Sequence, residues 1–326
     1  MSDVAAAAGV SLVTVSRAIN SPDQLASETL SAVRNAIEQL GYVPNLTAGS
    51  LASSRSRIVG AMVPTISNAV FAETIEALTQ TLGEGGYQLL LGQTSYRADD
   101  EQRLVDVFLG RRVDGVVLTG ITHAPGLRDR LQRSGIPVVE TWDMTGRPID
   151  MLVGFSNRDA GYLAGEYLLG RGHRQLAFIG AQEDRSRQRL EGFRAAAEAA
   201  GVGAVPAQLI APPAAMVDVR PALDALVAQA PGIDALFCNN DLLAAGVLFE
   251  CARRGWSVPG RLAVMGFGDQ PIAQASFPQL TTLRVHGRRI GEQAGQLLLG
   301  RLAGTGEPQA ATAVDIGVEL VVRDSA

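Results

Sequence analysis

Two rhythms of apolar residues divide the chain. From Ile58 onward, short unbroken apolar runs alternate with segments whose apolar residues recur at helical spacing. The runs are IVGAMVP (58–64), YQLLLGQ (87–93), DGVVLTG (114–120), IPVVET (136–141), MLVGF (151–155), QLAFIG (175–180), DALFCN (234–239) and LAVMGF (262–267). Strands buried on both faces read this way, because helices cover both sides of a parallel sheet. The alternation predicts two doubly wound parallel sheets, with ligands bound beyond the carboxyl ends of the strands. Ahead of Ile58 the pattern is purely helical. Leu30, Val33, Ile37 and Leu40 share one helix face over Ser27–Leu40, Glu28 and Thr29 lie in its first turn, and Gly41 is its C-cap. The opening stretch DVAAAAGVSLVTVSRAIN predicts two short helices hinged at Gly9-Val10-Ser11. Residues 3–9 form the first. Ser11 caps the second, which runs from Leu12 to about Ile19. After Tyr42 come Pro44-Asn45 and the small-residue stretch LTAGSLASSRSR, a linker or marginal helix.

Composition narrows the function classes. At 326 residues and 47% hydrophobic, the chain suits one small domain plus a two-lobed one. It has no apolar run of membrane-spanning length and no secretory signal pattern. Cys238 and Cys251, its two cysteines, sit in apolar surroundings. That usage suits a reducing cytoplasm better than a disulfide framework. A net charge of −5 argues against an unspecific nucleic-acid binder, and residues 1–57 balance four arginines against four carboxylates.

The economical reading of the opening is a helix–turn–helix. Its second helix presents Leu12, Val13 and Arg17 near an end that fits a DNA major groove. Arg17 can fork onto guanine N7 and O6, worth roughly 1–3 kcal/mol of discrimination, while Leu12 and Val13 offer apolar contact to thymine methyls. Ser11, Thr14 and Asn20 reach phosphates, which fix register without reading sequence. A small helical subdomain packing on a partner is the alternative.

DVAAAAGVSLVTVSRAIN followed by GYVPNLTAGSLA resembles the headpiece and hinge of the LacI family of transcriptional regulators, in sequence and in spacing. The resemblance runs on through GHRQLAFIG, RLEGFRAA, NNDLLAAG, VMGFGD and PQLTTLR. Within the family, NAVFAETIEAL, EQRLVDVFL, GIPVVETWD and FECARRGWSVP are most similar to repressors of gluconate-utilisation operons. The resemblance implies that Leu12, Val13 and Arg17 read bases and that Thr29, Tyr42 and Asn45 touch the DNA backbone. It further implies that Leu51 wedges into the minor groove at the operator centre, on a hinge helix that folds when two subunits meet on DNA. The family usually carries several more residues than the two ahead of Asp3, and these often touch phosphate.

A small molecule should bind between the lobes. Strand ends and following loops offer Ser67, Asn68, Phe71, Thr119, His123, Glu140 and Asp143 from the first lobe. The second offers Arg189 in RLEGF, Asn240 and Asp241 in NNDLL, and Asp269 in GFGD. Asp241 is equally suited to a helix N-terminus. At Gly268 the chain departs from a common family Asp that touches the ligand. Arg189 can hold a carboxylate by two parallel hydrogen bonds and also donates to hydroxyls. With 5% aromatic residues, little is available for stacking, which favours an open-chain polyol acid.

No G-x-S-x-G, P-loop, G-x-G-x-x-G after a strand, or paired-His metal motif occurs. The expectation is therefore not an enzyme, with no cofactor and no metal. The fold class expected is an N-terminal all-α helix–turn–helix headpiece plus an α/β two-lobed, periplasmic-binding-protein-like core. Its expected divisions are a headpiece at 1–44, a hinge at 45–57 and a core at 58–326. The core's N-lobe spans about 58–156 and 286–316, and its C-lobe about 157–285 and 317–326. The function expected is a cytoplasmic homodimeric repressor on a pseudo-palindromic double-stranded operator, controlled by a sugar acid such as gluconate, without membrane contact. A tetramer is not expected, since no heptad coil is read at LVVRDSA. A neutral sugar or purine as effector, or a two-lobed solute-binding protein without DNA function, are the alternatives.

Overall fold

The computed structural model describes residues 1–43, 55–66, 69–304 and 312–326. The chain forms two compact units, Met1–Ser56 and Arg57–Ala326.

The first unit holds α1 (Ser2–Ala7), α2 (Leu12–Asn20) and α3 (Ser27–Leu40) around a core of Val4, Ala5, Val15, Ala18, Val33 and Ala36. Helix α3 has the expected bounds, and Gly41 caps it in the left-handed conformation. Helix α1 stops earlier than expected. The Ala8–Gly9 turn takes over, with Gly9 at φ +65°, a conformation that favours glycine. Ser11 caps α2 as expected, its Oγ accepting from the Thr14 N–H at 3.1 Å.

The second unit is built on two six-stranded sheets. The first contains β1 (Ile58–Val63), β2 (Gln88–Gln93), β3 (Gly115–Thr119), β4 (Val138–Thr141), β5 (Met151–Gly154) and β11 (Ala313–Asp315), in the order β11-β5-β4-β3-β1-β2 and parallel throughout. The second contains β6 (Leu176–Ala181), β7 (Ala207–Ile210), β8 (Ala235–Cys238), β9 (Ala263–Gly268), β10 (Thr281–Val285) and β12 (Val318–Val321), in the order β12-β10-β9-β8-β6-β7. Only β12, against β10, is antiparallel among its described pairs. All eight apolar runs become strands. The other four hide in the pattern for physical reasons: β7, β11 and β12 are half-exposed edges, and β10 opens on the buried hydroxyls of Thr281 and Thr282.

The chain passes between the sheets three times, after β5, after β10 and between β11 and β12. Strand ends of both sheets thereby face one cleft. One further contact positions the site. Helices Asn157–Gly170 and Asp184–Ala199 pack backbone to backbone, and a Cβ on Gly161 would stand 1.9 Å from the Arg189 carbonyl oxygen. A Cβ on Gly192 would stand 1.8 Å from the Arg158 carbonyl oxygen. Glycine is required at both crossings.

Candidate functional site

In the headpiece, α2 buries Val15 and Ala18 and turns the opposite face outward. Leu12 and Val13 are 52% and 64% exposed, and Arg17 is exposed beside them. Two large apolar side chains exposed side by side at a helix start fit a face reserved for another surface. Ser11 and Thr14 are partly occupied, since their hydroxyls pair at 2.9 Å and Ser11 also caps the helix. Thr29 and Tyr42 are half-buried, with Tyr42 packed on the headpiece core. Asn45 and Leu51 lie outside the described residues, as does the Asn20 side chain.

In the core, the cleft between the sheets holds two adjoining chambers. One, of about 330 Å³, is walled by Phe71, Trp142 and Phe267 and carries Arg189, Asn239 and Asn240. The other, of about 320 Å³, is more polar and includes Thr119, His123 and Asp143. Tyr96, Glu183 and Arg185 line both. The aromatic share of the whole chain is a poor guide to this site, because four rings, Phe71, Tyr96, Trp142 and Phe267, meet in one chamber. Phe71 and Trp142 meet edge to face at 4.9 Å, and Trp142, Phe155 and Phe267 continue the row.

Arg189 comes where expected, but its guanidinium is already well held. Its Nε–H donates to Asn239 Oδ1 at 3.0 Å, its Nη2 to the same oxygen and its Nη1 to Asn157 Oδ1. It stacks over Phe267 with 4.2 Å from Cζ to the ring centroid. Burial pulls its pKa down to about 10, opposed by Glu183, so it stays charged at neutral pH. Asn240 lines the aromatic chamber while its Oδ1 caps the helix Asp241–Arg253 through the Leu243 N–H at 2.9 Å. Its neighbour Asn239, which sequence reasoning passed over, is the residue that grips Arg189.

Four of the expected contacts already have partners within the protein. Asp241 is fully buried and accepts from Thr282 Oγ1 at 2.6 Å and from the Gln270 N–H at 2.7 Å. Burial raises its pKa to about 6 against these bonds. Asp269 is clamped by Arg284 at 2.8 Å and Arg323 at 2.6 Å, outside both chambers. His123 lies between two carboxylates, 2.7 Å from Glu101 and 3.1 Å from Glu140. Burial pushes its pKa down, but the two carboxylates outweigh that and raise it to about 9. Glu140 is fully buried, accepting also from the Ile149 N–H. This triad braces the wall of the polar chamber rather than offering free groups to a ligand. Thr119 and Asp143 do line that chamber. Thr119 Oγ1 donates to the Met62 carbonyl, and Asp143 accepts from Gln188 Nε2 at 2.8 Å. Ser67 and Asn68 lie outside the described residues.

A solvent-facing recognition helix and a ligand-sized cleft between parallel sheets define a DNA-binding regulator with a two-lobed sensor core. The comparisons with known proteins agree. Residues 1–45 match the family described as bacterial regulatory proteins, lacI family, and residues 166–326 match the periplasmic binding protein-like domain. The HTH-type transcriptional regulator GntR of Pseudomonas aeruginosa is 38% identical over 100% of this chain and 95% of its own. GntR of Escherichia coli K12 is 32% identical over 98% and 96%. A LacI-family transcriptional regulator from Silicibacter pomeroyi has a solved structure with TM-score 0.91 and 32% identity, covering 99% of this chain and 98% of that one. The chain belongs to the LacI family. It is a DNA-binding transcriptional regulator, not an enzyme. No helix among the described residues is long and apolar enough to cross a membrane.

Proposed function

We propose that this chain is a cytoplasmic repressor that binds a pseudo-palindromic operator as a homodimer and is controlled by a sugar acid of the gluconate type. The observation that carries the effector reading is the charge of the aromatic chamber. Its charged lining residues are Arg185, Arg189 and Glu183, two guanidiniums against one carboxylate. A low-dielectric site with unbalanced positive charge favours an anion. Asn239 and Asn240 in this chamber and Thr119 in the adjoining one supply polar groups suited to hydroxyls, and Phe71 with Trp142 covers the apolar edge of the polyol chain. The full-length similarity to GntR-type regulators supports the same class.

On DNA, Leu12, Val13 and Arg17 read bases, and Ser11, Thr14, Thr29 and Tyr42 hold the backbone, with Asn20, Asn45 and Leu51 completing the contact set. Dimerisation draws support from exposed aromatic surface. Phe277 is 97% exposed, and it follows the short helix Pro271–Ala275, which packs on the helix carrying the exposed Phe249.

A neutral sugar is the second reading, favoured by the ring faces of Trp142 and Phe267. Thermal unfolding against a panel of sugar acids, neutral sugars and purines separates the two. A ligand at 100 times its Kd adds about 2.7 kcal/mol of stability. Gluconate or a close sugar acid should raise Tm. A rise with neutral sugars or purines alone would replace the acid.

A further inference from the structure

We propose that Arg185, not Arg189, is the residue that selects an anionic effector. Arg189 is then a positioning residue that keeps the chamber in shape. The proposal rests on the sugar-acid reading above and deepens it.

The two guanidiniums differ in what they already hold. Arg189 donates three N–H groups to side-chain amides and sits over the Phe267 ring. Arg185 is nearly as enclosed, its side chain 11% exposed, yet its Nη1 is buried with no hydrogen-bond partner among the described residues. Its Nη2 reaches only Glu183 Oε2, at a long 3.4 Å, and its Cζ sits 5.5 Å from the Phe71 ring centroid. A buried charged donor without an acceptor is unfavourable and needs a reason to persist. Arg185 lines both chambers, so a ligand entering either one meets its side chain.

The surroundings match an anion there. Glu183 cannot neutralise both arginines, because its other oxygen is directed to Asn239 at 3.4 Å and Arg189 at 3.8 Å. Tyr96 stands in the same partition. Ser95 and Tyr96 both adopt positive φ, 51° and 60°, a left-handed pair without glycine. Such conformations are costly and cluster where a side chain must be held in place. Burial and then the charge of Glu183 raise the Tyr96 pKa to about 12, so the phenol keeps its proton as a donor. A ligand carboxylate at the partition would accept from Arg185 Nη1 and supply the missing negative charge. A hydroxyl in its place would accept the hydrogen bond but leave the charge unbalanced.

The test is calorimetric titration of the full-length protein and its Arg185→Gln, Arg185→Lys and Arg189→Gln variants with D-gluconate and its uncharged counterpart D-sorbitol, with Tm of each protein measured without ligand. Arg185→Gln should weaken gluconate about 10- to 100-fold, the worth of a charged hydrogen bond, and change sorbitol little. Its Tm without ligand should hold or rise, since an unpartnered charge is removed, and Arg185→Lys should restore part of the preference for the acid. Arg189→Gln should lower Tm and weaken both ligands alike. An Arg185→Gln protein that keeps the wild-type ratio of gluconate to sorbitol affinity overturns the proposal, even if gluconate binds well. If the wild type prefers sorbitol or binds neither, the sugar-acid reading itself fails, and the role given to Arg185 fails with it.

Discussion

His123 illustrates how a residue type points to a site while its environment decides its task. A histidine beside a predicted strand end is a reasonable ligand contact. Folding instead places it between Glu101 and Glu140, on a helix and a strand distant in sequence, and both ring nitrogens are engaged. No local pattern encodes that sandwich. The same holds for Tyr96, Trp142, Glu183 and Arg185, which reach the cleft only through tertiary packing. Arg189 was legible because RLEGF carries it within a recognisable motif, whereas its partner Asn239 lies one position from the asparagine that the motif singles out. The triad makes a pH prediction. The folded pKa of His123, about 9, is above its unfolded value of 6.5. Its contribution is therefore fully present below pH 6.5 and disappears as pH rises from 6.5 to 9, on the order of 3 kcal/mol over that span. Chemical denaturation across this range should show wild type losing stability relative to His123→Gln. Parallel pH profiles for the two proteins would refute a charged His123 in the folded state.

At the scale of elements, helices and central strands were readable because burial imposes a period, and edges were not because half-exposure blurs it. Helix α3 shows the first case, with Leu30, Val33 and Ile37 on its core face, Leu40 exposed at its end and a glycine cap after it. Strand β12 shows the second, an antiparallel edge with the exposed Glu319 among its valines. The pairing of helices Asn157–Gly170 and Asp184–Ala199 was illegible, since glycines inside helices ordinarily signal weakness. Here they admit a neighbouring backbone, and one of those helices carries both Arg185 and Arg189 into the cleft. Gly192→Ala should therefore cost about 1–3 kcal/mol or more through overpacking. It should also weaken effector binding without touching any ligand-facing atom. Calorimetric unfolding and ligand titration check both. A variant with wild-type Tm would show that the helices separate freely, contrary to the close crossing.

For the whole molecule, a ligand that closes the lobes alters DNA affinity only by its differential affinity for two arrangements of the core, and operator must alter ligand affinity by the same factor. Residues 1–57 balance four arginines against four carboxylates, so the proposal rests specificity on α2 rather than on bulk attraction. The proposed pseudo-palindromic operator needs two headpieces, so the proposal requires a dimer. Phe277→Asp should shift the protein from dimer to monomer in sedimentation velocity and weaken operator binding. A wild type that sediments as a monomer at micromolar concentration would contradict that step.

DNA reading by α2 and acid binding in the cleft are two halves of one proposed switch, and a single selection tests both. Full-length protein would be used to capture fragments from a randomised double-stranded DNA pool, and bound DNA would be eluted with D-gluconate or, in parallel, D-sorbitol. The account predicts enrichment of a two-fold symmetric sequence that gluconate releases and sorbitol does not, with Arg17→Ala losing preference at one position of each half-site. Enrichment of no symmetric sequence, or of one that only a neutral sugar releases, would contradict it.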